Sequence, residues 1–231
     1  MSPSTYESGE YLLKNPDWHE GDAPTKAAWI LDILSRNALA PAHVVEVGAG
    51  SGEILAQLAA KLPDATFDGY DISPQAYQIA SPKRTDRLTF HHEDFLAADT
   101  SGIDLLMAID VFEHVEDYMA FLKALRPRAE FKLFHIPLDL SVQTVLRSKP
   151  ILGAREQLGH LHYFSKDTAL AVLGGCGYEV LDWNYTHGAE ELPDRATRTR
   201  IVNLARRSLR ALHEDLAVRL MGGSSIMVLT K

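Results

Sequence analysis

Two hydrophobic rhythms alternate along the 231-residue chain. Short runs rich in β-branched and aromatic residues predict strands at Val44–Val47, Ala65–Asp71, Leu88–Phe95, Ile103–Ile109, Glu130–Ile136, Tyr178–Trp183 and Ser225–Thr230. Between them, apolar residues return every three or four positions, which predicts helices over 25–36, 52–61, 74–80, 117–126 and 166–173. Trp29, Ile30, Ile33 and Leu34 share one face of the first. Pro82 closes the third and Pro127 follows the fourth, as expected of a residue that cannot continue a helix. Gly174 and Gly175 stop the fifth. One long helix is predicted over 197–220, and residues 138–164 show little periodicity. Strand alternating with helix predicts an α/β protein, with a mostly parallel sheet, right-handed crossovers and helices on both faces.

The junction of the first strand with the next helix carries the strongest signal. It reads Val44-Val45-Glu46-Val47-Gly48-Ala49-Gly50-Ser51-Gly52-Glu53. Glycines at alternate positions let the backbone and a helix N-terminus approach a polar ligand closely. A dinucleotide loop asks for Gly-x-Gly-x-x-Gly, and Glu53 stands where its third glycine would be. The second strand ends in Asp71, about 20 residues further on, where such sites place a carboxylate on the ribose hydroxyls. The third leads to Asp94, and the fourth runs into Asp110-Val111-Phe112-Glu113-His114-Val115. Ligands of parallel sheets sit at the carboxyl ends of the strands. The strand-end residues Gly48, Asp71, Asp94, Asp110 and His135 are therefore expected along one edge.

These motifs, in this order, resemble those of the class I S-adenosylmethionine (SAM) methyltransferases, small-molecule type. The resemblance covers roughly residues 43–185 and the closing strand. It implies a Rossmann-like sheet of seven strands, the last inserted antiparallel between the fifth and sixth. It also implies SAM as cofactor, with S-adenosylhomocysteine (SAH) as product. The cofactor residues it implies are Glu46, Gly48, Gly50, Gly52, Asp71, Ile72, Asp94, Phe95 and Ile109; Asp94 would take the adenine amino group, with Phe95 and Ile72 beside the base. Residues 1–42 are then a cap or lid with a lead-in helix, and 43–231 the SAM-binding domain, with 186–220 a helical elaboration. Tyr6, Tyr11, Trp18 and His19 read either as a lid over the cofactor or as an outer strap.

Methyl transfer from a sulfonium needs an aligned acceptor and, for a hydroxyl, phenol or ammonium, a base near neutral pKa. Histidine fits best. His114, His135 and His160 compete for the role, the last within Gly159-His160-Leu161-His162-Tyr163-Phe164. Their availability favours O- over N-methylation. In ubiquinone-biosynthesis O-methyltransferases a segment like Asp110-x-x-Glu113-His114 holds a divalent metal; relatives not known to need metal share it, so metal is not favoured here. Ser165 and Asp167 suit a helix cap, and His91 and His92 read as sheet supports.

Composition narrows the partners. The chain is 46% hydrophobic and 23% charged, with a net charge of −8, which argues against nucleic acid. No apolar run reaches the ~18 residues of a membrane span, and Met1 to Glu7 show neither the basic nor the apolar region of a secretory signal. A single cysteine, Cys176, fits a reducing cytosol and inert packing, so a cytoplasmic protein is expected. Arg195, Arg198, Arg200, Arg206, Arg207 and Arg210 form the one basic cluster: a solvated face, a homodimer contact or an anion-binding rim. Two other readings stay open, a nicotinamide-dependent oxidoreductase and a SAM-binding protein without turnover.

Overall fold

A computed structural model describes residues 10–15, 18, 20–188 and 197–231, with the backbone alone at 10, 11, 197–203 and 205. Seven strands, β1 (His43–Val47), β2 (Thr66–Asp71), β3 (Leu88–His92), β4 (Ile103–Ile109), β5 (Ala129–Pro137), β6 (Val180–Thr186) and β7 (Ser225–Thr230), form one sheet in the order β3-β2-β1-β4-β5-β7-β6. All neighbours pair parallel except β7, which runs antiparallel to both β5 and β6. The order reverses at β1, beside β4. That is the switch point at which a crevice opens above the carboxyl ends of the strands.

The helices are α1 (Glu10–Lys14), α2 (Ala23–Arg36), α3 (Glu53–Lys61), α4 (Pro74–Ala80), α5 (Tyr118–Leu125), α6 (Val142–Arg147), α7 (Lys149–Gly153), α8 (Lys166–Gly175), α9 (Thr197–Leu212) and α10 (Glu214–Met221). Local chemistry sets their starts. Ser73 accepts the Ala76 amide ahead of Pro74, Asp117 accepts that of Ala120, and Ser165 with Thr168 closes a reciprocal cap on α8. Asp167 is the acidic residue in the first turn of α8, not its cap.

Period-two alternation sorts the core onto the two faces of the sheet. Val45, Leu106, Ala108, Phe134 and Ile136 pack on the face covered by α5 and α8, together with Phe112, Leu122 and Leu173. Val44, Leu105, Met107, Ile109, Leu133 and Met227 pack on the other, against Ile30 and Ile33 of α2 and Leu55 and Leu58 of α3. By the same parity, Glu46 follows Val44 and His135 follows Leu133 onto the α2 face. Cys176 is buried in the first cluster.

Three expectations change. The long helix predicted over 197–220 is two: His213 takes extended backbone and its Nδ1 accepts the Leu216 amide, capping a new start at Glu214. β3 stops at His92, because Asp94 turns the chain by accepting the Leu96 amide. β6 runs on to Thr186, so the elaboration set at 186–220 begins after the strand. The weakly periodic 138–164 hold two short α-helices, joined at Ser148 with φ +55°, and a π-helical stretch over Ala154–Leu158. Among the described residues no helix is long and apolar enough to cross a membrane.

Candidate active site

The glycine loop turns tightly at the end of β1. Gly48, Gly50 and Gly52 all have positive φ (72°, 55° and 74°), a region costly for residues bearing a Cβ. Space matters as much as angle at all three, a Cβ on Gly48 lying 2.8 Å from Val111 Cγ2. A Cβ on Gly52 would lie 2.4 Å from the Phe90 ring, and one on Gly50 2.7 Å from the Trp18 indole nitrogen. Trp18 thus lies on the loop, and nearby Lys83 Nζ donates to Glu20 Oε1 (2.5 Å) and the Ser51 carbonyl (2.8 Å). Tyr6 and His19, and the side chain of Tyr11, lie outside the described residues.

A cleft of about 840 Å³ opens beside this loop. Of the residues predicted from sequence, Glu46, Gly48, Gly50, Ile109, His114, His135 and His160 line it. Gly52, Asp71, Ile72, Asp94 and Phe95 do not. Asp71 stands against the loop from the β2 side, its carboxylate accepting the amides of Gly50 and Ser73, each at 2.8 Å. Burial raises its pKa while those two amides oppose the rise. Ile72 is exposed. Phe95 is in the core, edge-on to Tyr70 and under the Arg128 guanidinium.

The floor of the cleft is a chain of polar contacts that the sequence did not reveal. Lys26, on α2, donates to Asp110 Oδ2 at 2.8 Å; the other oxygen is 2.6 Å from His135 Nδ1, and His135 Nε2 is 2.8 Å from the Thr186 hydroxyl. Trp29, one turn along α2, stacks on the His135 ring at 5.7 Å. Asp110 sits at φ +55°, a strained angle that aims its carboxylate between both partners. Burial alone would raise the Asp110 pKa, but His135 and Lys26 hold it far below the usual carboxylate range. Burial likewise opposes the Lys26 charge, and Asp110 more than restores it.

Glu46 has no such relief. It is 1% exposed and its Oε2 has no hydrogen-bond partner. Burial, with Lys26 opposing and Asp71 and Asp110 reinforcing, pushes its carboxyl to about 8. Beyond Asp110 the chain enters a short turn, Phe112–His114. There burial, then Asp110, raises the Glu113 carboxyl well above its usual range, and burial, then His160, lowers His114 to about 4. His160 Nδ1 is 2.6 Å from Asp139 Oδ2. His91 and His92 are indeed tied to the sheet, through Asp68 and the Ile72 carbonyl. Of the arginines, Arg195 and the side chains of Arg198 and Arg200 lie outside the described residues, and Arg206 donates to the Met221 carbonyl.

Comparison with known proteins agrees with this architecture. Residues 45–129 match the family model described as Methyltransferase domain. The chain is built on the class I SAM-dependent methyltransferase fold. Ubiquinone biosynthesis O-methyltransferase of Xanthomonas campestris is 28% identical over 119 residues, 46% of this chain and 49% of that protein. The chain therefore spans about half the length of the curated relatives it matches first. Release factor glutamine methyltransferase of Bacteroides thetaiotaomicron is 31% identical over 77 residues, 32% of this chain and 28% of its own. Among solved structures, magnesium protoporphyrin IX methyltransferase from Synechocystis with bound SAH superposes at TM-score 0.60, with 18% identity over 90% of this chain and 82% of that one. An N-methyltransferase from Bradyrhizobium japonicum in complex with SAH gives 0.56 and 14%, covering 89% and 85%. The two structures share the methyltransferase fold with this chain.

Proposed function

We propose that this protein transfers a methyl group from SAM to a hydroxyl of a small-molecule acceptor. The observation that carries the reading is the glycine loop with Asp71 against it, opening onto a cleft floored by the Asp110–His135 pair. In this reading the loop approaches the methionine part of SAM and Asp71 takes the ribose diol, with Ile72 and Asp94 near the adenine. Lys26 is the one lysine or arginine among the residues lining the cleft, and it suits the methionine carboxylate. Glu46 suits the ammonium group.

The chemistry asks little more of the chain. SAM brings an activated carbon, so the protein aligns donor and acceptor and removes the acceptor proton. His135 is the favoured base. Asp110 fixes its Nδ1 side, leaving Nε2 to take the proton as the Thr186 hydroxyl rotates away. His114, held at about 4, is too weak a base near neutral pH. The acceptor-selecting parts are residues 1–42 and the segment after β6, which no family motif covers. The buried lone cysteine and the net charge of −8 suit a cytoplasmic enzyme acting on small molecules and not on nucleic acid.

Calorimetric titration with SAH, with NAD as control, tests the cofactor. Micromolar binding of SAH and none of NAD is expected; tight NAD binding would overturn the assignment. Once an acceptor is found by screening, His135→Gln should lower kcat by about 10²–10⁴-fold with SAH affinity unchanged. Normal turnover by that variant removes His135 as the base.

A further inference from the structure

Glu113 has no task in the reaction above, yet its placement is costly. Its side chain is 0% exposed and neither carboxylate oxygen has a hydrogen-bond partner. An unsatisfied buried polar group of this kind is destabilising, the more so when charged. Two imidazoles share the space around it. His114 Nε2 is 3.8 Å from Glu113 Oε1, and the His114 and His160 rings meet edge to face with centroids 5.0 Å apart. One donor atom from each of Glu113, His114 and His160 lies within 4.8 Å of the other two.

The backbone builds this meeting. The Glu113 carbonyl accepts the amides of Leu161 (2.8 Å) and His162 (3.1 Å), and His162 Nε2 lies 2.9 Å from the Val115 carbonyl. The loop bearing His160 is thereby fastened to the turn bearing Glu113 and His114. Asp139 holds His160 through Nδ1, which leaves Nε2 as its remaining ring nitrogen. A carboxylate on the far nitrogen of a histidine fixes the ring and strengthens it as a ligand.

We propose that Glu113, His114 and His160 hold a divalent transition-metal ion, with Asp139 as the support behind His160. Two imidazoles and one carboxylate favour Zn²⁺, Mn²⁺, Fe²⁺ or Co²⁺ over the oxygen-seeking Mg²⁺ and Ca²⁺. Bonds of about 2.0–2.2 Å set donors roughly 3.4 Å apart, so small side-chain rotations close the site. Three protein ligands leave coordination positions open, and His114 and His160 both line the cleft, so those positions face the acceptor space. The ligand set differs from the acid-x-x-Glu-His pattern. Asp110 is not available to it, because both its oxygens are engaged by Lys26 and His135; His160 supplies the third ligand instead.

The test needs neither SAM nor turnover. Chelator-stripped protein is titrated with Zn²⁺ by calorimetry, bound metal is counted by mass spectrometry after dialysis, and Co²⁺ is followed by visible absorption. Wild type should bind one equivalent of Zn²⁺ tightly, undisturbed by millimolar Mg²⁺, and Co²⁺ should give d–d bands. His160→Ala should weaken Zn²⁺ binding by more than about 100-fold and remove the Co²⁺ spectrum, and Asp139→Asn should weaken it by about 10–100-fold. His213→Asn, which keeps a helix cap far from the cluster in sequence, should bind as wild type. Circular dichroism checks each fold; should Glu113→Gln not fold, the histidine variants decide. No stoichiometric Zn²⁺ in wild type, unchanged binding in His160→Ala and His114→Ala, or equal competition by Mg²⁺ each overturns the proposal. SAH titration of the stripped protein reports separately on the cofactor reading, so the two fail independently.

Discussion

Glu46→Gln isolates the cost of a buried carboxyl beside the glycine loop. In the folded protein the Glu46 carboxyl releases its proton at about 8, against an ordinary 4.5. Between those values the unfolded chain has lost a proton that the folded chain still holds. Raising the pH therefore favours unfolding, by about 1.4 kcal/mol for each pH unit in the interval. The stability this group supports is intact below about 4.5 and is lost as pH rises toward 8. From pH 5 to pH 8 the accumulated loss is about 3–4 kcal/mol, an upper figure because local opening admits water. Glutamine has nearly the same shape and no proton to lose. Urea unfolding of wild type and Glu46→Gln, followed by tryptophan fluorescence at pH 5 and pH 8, gives the double difference in which other titrating groups cancel. The variant should gain on wild type by about 3 kcal/mol across the interval. A gap that stays constant within about 0.5 kcal/mol refutes the claim that Glu46 is neutral in the folded protein.

Other perturbations read other parts of the site. Gly52→Ala places a Cβ 2.4 Å from the Phe90 ring at φ +74°, and should cost more than about 2 kcal/mol in urea melts. Asp71→Ala removes the acceptor of the Gly50 and Ser73 amides, and should weaken SAH binding by about 1–3 kcal/mol in calorimetry; unchanged affinity would displace the ribose from Asp71. Lys26→Met removes one of the two groups that Asp110 pairs with, leaving His135, and should lower stability by about 2–3 kcal/mol at pH 7.

The sheet was legible because its signals are local. Each strand is an apolar run, each glycine or proline stop has its own stereochemistry, and β-strand parity sends Glu46 and His135 to one face without any knowledge of the fold. The misjudged boundaries were decided by single hydrogen bonds. His213 sits inside an unbroken helical periodicity, and only its side chain on the Leu216 amide marks the new start. Asp94 ends β3 in the same way, by accepting the Leu96 amide.

The site itself was half legible, and the missing half has one cause. Motif spacing carries residues that act along the strand ends, so Glu46, Asp71, Asp110 and His135 could be found in order. Lys26 lies 84 residues before Asp110 on a helix whose periodicity speaks only of packing. Its position on the α2 surface beside Trp29 becomes informative once that helix is known to cover the Glu46 and His135 face. Asp139 and Thr186 are likewise ordinary residues until the fold sets them 2.6 Å from His160 and 2.8 Å from His135. The sequence offered three equivalent histidines. Their partners separate them: an aspartate bonded to Lys26 fixes His135 on the floor of the cleft, whereas His114 and His160 face each other across a carboxyl with no hydrogen-bond partner. The base proposed at His135 and the metal site proposed at Glu113, His114 and His160 therefore do not compete for the same ring.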